Sequence, residues 1–166
     1  MTFAETVLPS SPTARALIIA IASLAILAAV WILQGLGYQP CELCLTQRYT
    51  FYAAAPFALL TAFAASRSAD GLARGGFALL AAAFLANAAL AAYHVGVEYR
   101  WWAGPTACTG GLTGSLNVRD LAKALDSVKV VRCDEVQLRI AGLSLAGWNV
   151  LASAALAIYA GLAARL

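Results

Sequence analysis

The sequence predicts an all-α integral membrane protein: a four-transmembrane-helix bundle with both termini cytoplasmic. A short amphipathic helix is expected in the long connection before the last span. Three observations carry this. Hydrophobic residues make up 62% of the 166 residues and charged residues 11%, against roughly 45–50% and a quarter in soluble domains. A chain so poor in polar groups cannot cover its apolar surface, and lipid is the solvent that suits it. The apolar residues also fall into four runs, each close to the about 20 residues that cross a hydrocarbon core. Finally, the four cysteines lie outside those runs, in two connections that parity places on one face of the membrane.

The first span covers about 16–34, "ALIIAIASLAILAAVWILQ". This run exceeds the about 7–15 apolar residues of a secretory leader and has only Arg15 as a preceding cation, so it is expected to stay as a span. The second span covers about 45–65, with Arg48 near its start, the third about 77–97, and the fourth about 145–162. All are alanine-rich, and small residues let helices approach closely where packing, rather than water, drives association. The 1–166 chain reads as a single membrane domain. Its net charge of +3 is small and its basic residues are scattered, which excludes an electrostatic nucleic-acid footprint.

The connections differ. Residues 35–44 form a short loop with Cys41 and Cys44. Residues 66–76, "SRSADGLARGG", are polar and glycine-rich. Residues 98–144 are long, hold Cys108 and Cys133, and contain "CTGGLTGS". Within that loop Leu121, Leu125 and Val128 recur at helical spacing, which predicts the amphipathic helix through about Val131. Arginines and lysines flank both faces, so positive charge does not settle the orientation. Four cysteines on one side make most sense facing an oxidising compartment, which places 35–44 and 98–144 outside the cytoplasm. Trp101, Trp102 and Trp148 fall at span ends, where interfacial aromatics sit.

"QPCELCLTQRY" (39–49) carries the chemistry. A Cys-x-x-Cys pair closes a small disulfide or helps to bind metal. A zinc site needs four ligands, and here the other two cysteines stand alone and the single histidine lies in a span, so no metal is expected. As a structural staple the pair is poor, because the loop it closes is short. At a helix start, unpaired N–H groups favour a thiolate, and Arg48 shares the helical face of Cys44. Asn87, His94 and Glu98 share one face of the third span. Ionisable groups at membrane depth are costly and usually functional; near a span end they also serve as interfacial groups. Cys108 and Cys133, in a glycine-rich exposed loop, read as a static or an exchangeable disulfide.

The order of these features resembles the bacterial disulfide bond formation protein B (DsbB) family over about 15–162. The residues that carry it are "CELC", Arg48, "YHVGVEYRWW", "PTAC", "RCDEV" and "GLSLAGWN". The resemblance implies an inner-membrane thiol oxidase with both cysteine loops in the periplasm. A reduced DsbA-like thioredoxin-fold partner would attack the Cys108–Cys133 disulfide, with Cys108 taking the mixed disulfide. Freed Cys133 would attack Cys41, and Cys44 would pass electrons to a quinone, ubiquinone or menaquinone. Arg48 matches the family's quinone-site arginine and His94 a histidine often near the quinone. Such a partner is itself a strong oxidant, near about −120 mV, so an ordinary structural disulfide below about −300 mV cannot oxidise it and a strong acceptor is needed. A vitamin-K-epoxide-reductase-like oxidoreductase shares the bundle, but there the loop pair precedes the Cys-x-x-Cys. A non-catalytic scaffold with structural disulfides is the reading from another class.

Overall fold

A computed structural model describes residues 9–105 and 131–165. Among them are four helices long and apolar enough to cross a membrane: α1 (Pro12–Gly35), α2 (Glu42–Ser66), α3 (Asp70–Glu98) and α4 (Leu145–Arg165). A two-residue hairpin, β1 (Arg139–Ile140) and β2 (Leu143–Ser144), precedes α4. Cys108 and the amphipathic helix expected through Val131 fall outside or at the edge of the described residues.

Local chemistry sets the helix ends. Ser11 caps α1, its hydroxyl accepting from the Ala14 N–H, and Pro12 follows at a position where no N–H is needed. The Arg15 side chain folds back onto the Pro9 carbonyl at 2.7 Å, which accounts for its burial beside an apolar run. The polar segment 66–76 is less of a loop than its composition predicts. Only Arg67–Ala69 turn, with Ser68 at φ 56°, and α3 begins at Asp70, an acid in a first turn. Gly76 explains why glycine is tolerated inside that helix: a Cβ there would overlap the Thr61 side chain of α2. The glycine is a contact point between helices.

Packing follows the small residues. Ala16, Ala20, Ala58, Ala62, Ala160 and Ala163 are buried around Ile19, Phe77, Leu80 and Phe84. Phe51 and Phe84 meet at 5.8 Å between ring centroids. Side chains such as Ile21, Leu60, Leu79 and Ile158 stay exposed, as a lipid-facing surface requires. The helices do not pack evenly. Neighbours in sequence pack tightly (α1 on α2, α2 on α3, α3 on α4), whereas α1 and α4 barely touch. That gap becomes the cavity of the site.

Above the bundle the chain is pinned by side chains. The hairpin turns through Ala141 and Gly142, both at positive φ (52° and 84°), as a two-residue type I′ turn demands. Trp148 Nε1 donates to the Ile140 carbonyl at 3.0 Å. The Ser144 hydroxyl accepts from the Gly147 N–H and donates to Glu98. "GLSLAGWN" is thus the segment that fastens the hairpin to α3 and α4. At the end of α3, Trp102 stacks on Tyr93 at 5.7 Å and lies over Gly96, where any side chain would collide with its ring.

Candidate functional site

Cys41 is the N-cap of α2. Its extended backbone (φ −78°, ψ 172°) follows Pro40, and its sulfur accepts from the Cys44 N–H at 3.3 Å. A sulfur thus satisfies an N–H that a Ser or Asp oxygen usually takes. Cys44 lies in the first turn, so both sulfurs face N–H groups without intrahelical partners, at the positive end of the helix dipole. The two sulfurs lie 2.8 Å apart and neither is in a disulfide. The hydrogen bond that Cys41 gives to Cys44, with burial adding to it, holds the Cys41 thiol well above the ordinary thiol pKa.

His94 reaches the pair from α3. It is buried, with Nε2 3.6 Å from Cys41 Sγ and Nδ1 3.2 Å from Gln47 Nε2. Its ring also hydrogen-bonds the Cys133 backbone. Cys133 is disulfide-bonded and buried, and it packs with Cys41, Leu43 and Val97 in one apolar cluster. The long loop thus returns Cys133 to the face of the Cys-x-x-Cys. Gln137 of the same segment donates to the Gln39 carbonyl at 2.8 Å, fastening the two loops together.

Below the sulfurs, where α1 and α4 separate, lies a cavity of about 420 Å³. Ile26, Leu27, Val30 and Leu33 of α1 and Ala146, Trp148 and Ala152 of α4 make it apolar. Cys44, Arg48, Gln47, His94 and Glu98 supply its polar groups. Arg48 is steadied by Gln34, whose Oε1 accepts from Nη1 at 2.8 Å. An apolar slot with Arg48 and the Cys44 thiol among its lining residues suits a flat, polar-edged ring on an apolar tail.

Cys41, Cys44 and His94 are also three soft donors within 4.8 Å of one another. Two sulfurs each about 2.3 Å from a tetrahedral zinc would stand about 3.8 Å apart. At 2.8 Å they lie somewhat nearer the about 2.05 Å of a disulfide. Closing a covalent bond needs the smaller movement, so the geometry favours redox work over metal binding.

Of the residues singled out from the sequence, Cys41, Cys44, Arg48 and His94 thus border one cavity, and Cys133 packs against Cys41. Cys108 lies outside the described residues. Gln34, Gln47, Asn149 and Ser153 were not singled out. Asn149 and Ser153 are four apart on α4, and Gln47 and Thr50 three apart on α2, so polar residues recurring at helical spacing inside apolar runs were the available signal.

A model of the family described as disulfide bond formation protein DsbB matches residues 12–163. A disulfide bond formation protein B from Herminiimonas arsenicoxydans is 38% identical over 135 residues, covering 78% of this chain and 80% of the relative. No solved structure matches the chain.

Proposed function

This chain belongs to the DsbB family of disulfide oxidoreductases, and on that premise we propose that it reoxidises a periplasmic DsbA-like dithiol oxidase and passes two electrons to a membrane quinone. The observation that carries the reading is the sharing of one cavity wall by Cys44 and Arg48, directly beneath a Cys-x-x-Cys that Cys133 abuts. One side of the pair faces the loops, and the other faces the apolar cavity.

The residues divide the labour. A partner thiolate attacks the Cys108–Cys133 disulfide at Cys108, forming the mixed disulfide and releasing Cys133 as a thiolate. The partner's second thiolate then displaces Cys108, and the partner leaves oxidised. Cys133 attacks the Cys41–Cys44 disulfide at Cys41, and Cys44 leaves as the thiolate. The Cys108 thiolate then displaces Cys41 from Cys133, which restores the loop disulfide and leaves Cys41 and Cys44 reduced, with the electron pair to be given up from Cys44. The helix N-terminus and the Arg48 guanidinium favour charge on that sulfur. Arg48 and His94 would hold the quinone, whose chemistry is to accept the two electrons. Apolar walls from α1 and α4 exclude water. Loops 35–44 and 98–144 face the periplasm of an inner-membrane protein, and both termini face the cytoplasm.

The test is quinone reduction driven by the reduced partner, measured across the four single-cysteine variants. The reading requires that every one loses quinone-linked turnover and that a partner cysteine is trapped on Cys108. Trapping on Cys133 instead would reverse the entry point. Thiol-reactive probes that do not cross membranes, applied to spheroplasts, check the sidedness.

A further inference from the structure

The electron path uses Cys44, Arg48 and His94 of the cavity and leaves one ionisable helix residue there without a task. Glu98 is the last residue of α3 and is half-buried; it is the acid that the four helices contribute to the cavity wall. It lies one turn beyond His94 on the same face of α3. Two groups of the segment above act on it. The Ser144 hydroxyl donates to Oε2, and that hydroxyl is itself fixed by the Gly147 N–H. The Arg139 charge reaches the carboxyl from the exposed hairpin. Glu98 thus stands between the exposed hairpin and the apolar cavity.

The chemistry of the proposed reaction needs a proton at this place. Reducing a quinone to a quinol takes two electrons and two protons. The dithiol supplies both electrons when Cys41 and Cys44 close their disulfide. With Cys44 ionised the pair holds at most one proton, so another group must supply the second. Besides the dithiol, the ionisable groups facing the cavity are Arg48 and His94 from the helices and Tyr38, Arg132 and Glu135 from the loops. The arginines keep their protons, and His94 already faces Cys41 and Gln47 with its two ring nitrogens. Tyr38 and Glu135 are exposed, and Glu135 pairs with Arg132. Charge also links Glu98 to the dithiol, because Glu98 and Cys44 are close enough to act on each other. Like charges beside an apolar cavity oppose one another, so a thiolate on Cys44 favours a proton on Glu98. Once Cys44 is back in the neutral disulfide, that proton is released more easily.

We propose that Glu98 is the proton donor for quinol formation: its carboxylic acid gives one proton to a quinone oxygen as the electron pair leaves Cys44, and the carboxylate takes a proton back from water on the Arg139 side. The step balances. One thiol, one thiolate, one carboxylic acid and a quinone become a disulfide, a carboxylate and a quinol. The single negative charge passes from sulfur to carboxylate. The inference rests on the reading that Cys44 passes its electrons to a quinone in this cavity. The carboxyl is loaded while the dithiol is charged and unloaded as the electrons leave, so electrons and proton arrive together.

Two measurements separate this role from the electron path. The first uses full-length protein without quinone or partner. Infrared difference spectra at neutral pH should show a protonated carboxyl in the reduced form that is lost when the disulfide closes. Glu98→Gln should lack that band; its carboxamide keeps the shape and still accepts from Ser144 but has no acid proton. The second is steady-state quinone reduction. Glu98→Gln should lower kcat about a hundredfold and leave the apparent KM for quinone within about twofold. Formation of the mixed disulfide with the partner should keep its wild-type rate. The wild-type kcat should fall as pH rises through the carboxyl's titration, and the variant's should stay flat. Glu98→Asp, an acid one methylene shorter, should recover part of the loss; if Glu98→Gln fails to fold, a shifted carboxyl band in Glu98→Asp makes the same assignment. A wild type that reduces no quinone overturns the electron path and this role with it. A wild type that does, with kcat unchanged in Glu98→Gln or with no Glu98 carboxyl band in the reduced form, overturns this role alone.

Discussion

The two ends of this bundle are built from different chemistry. At the end holding α1's start and α4's finish, helices meet through Ala16, Ala20, Ala160 and Ala163 against Ile19 and Phe77. Arg74 Nε donates to the Ala164 carbonyl at 3.1 Å there, but most of the contact is shape, and the buried hydroxyls of Ser23 and Tyr159 have no hydrogen-bond partner among the described residues. At the dithiol end, Gln47, Asn87, His94 and Ser153 are buried just as deeply, and each has partners. A buried polar group without a partner costs about 1–3 kcal/mol, so a bundle needing only stability would fill these positions with alanine and leucine. On the proposed function the polar end serves the chemistry, and the alanine end packs the helices beneath it.

That contrast breaks most visibly at Cys44. Cys44→Ala should abolish quinone-linked turnover, by more than about a hundredfold, while leaving helix content and thermal stability near wild type. A variant that still turned over would end the division of labour. The converse change is Gly76→Ala at the alanine end. Its new methyl group meets Thr61, and overpacking of this kind costs about 1–3 kcal/mol. Detergent-solubilised protein should therefore melt at a lower temperature, yet its remaining folded fraction should keep wild-type turnover. Thr61→Ala should restore much of the loss when combined with it, because the two sites share one contact.

Arg48→Met probes the boundary between the two chemistries. The side chain keeps its apolar length but loses the charge that faces the cavity, so the apparent KM for quinone should rise about tenfold. Disulfide exchange with the partner should change little. An equal fall in both would place Arg48 in thiol chemistry alone.

Much of this architecture is legible in the sequence, for a physical reason. Spanning lipid demands long apolar runs, so α1 to α4 announce themselves, and Cys41, Cys44 and Arg48 stand out because they sit at the border of such a run. The start of α3 was less legible. "SRSADGLARGG" has the composition of a loop, but Asp70 opens a helix there because Gly76 lets α3 close on α2. The hydrogen bonds that link α2, α3 and α4 were illegible for a different reason. Gln47, Asn149 and Ser153 each look like one polar residue in an apolar helix, and only the rotation of three helices brings them face to face. The hairpin at 139–144 was missed because each strand is two residues long and its only turn signal is Gly142.

The smallest expected effect lies just outside the membrane, beside Cys133. Arg132 grips Asp134 through two hydrogen bonds of 2.9 Å, and this holds the Asp134 carboxyl below the usual aspartate range. A folded-state pKa lowered in this way contributes stability that is fully present above the unfolded value, about 3.9, and is lost as pH falls through the folded one. The Arg132 side chain is 49% exposed, so water and salt screen the pair and the contribution is slight. Asp134→Asn should therefore lower the melting temperature slightly at pH 7, and the difference should fade as acid protonates the folded-state carboxyl. A large effect at pH 7 would mean that the loop carrying Cys133 depends on this ion pair for its place, and that the polar end extends beyond the helices into the loop above them.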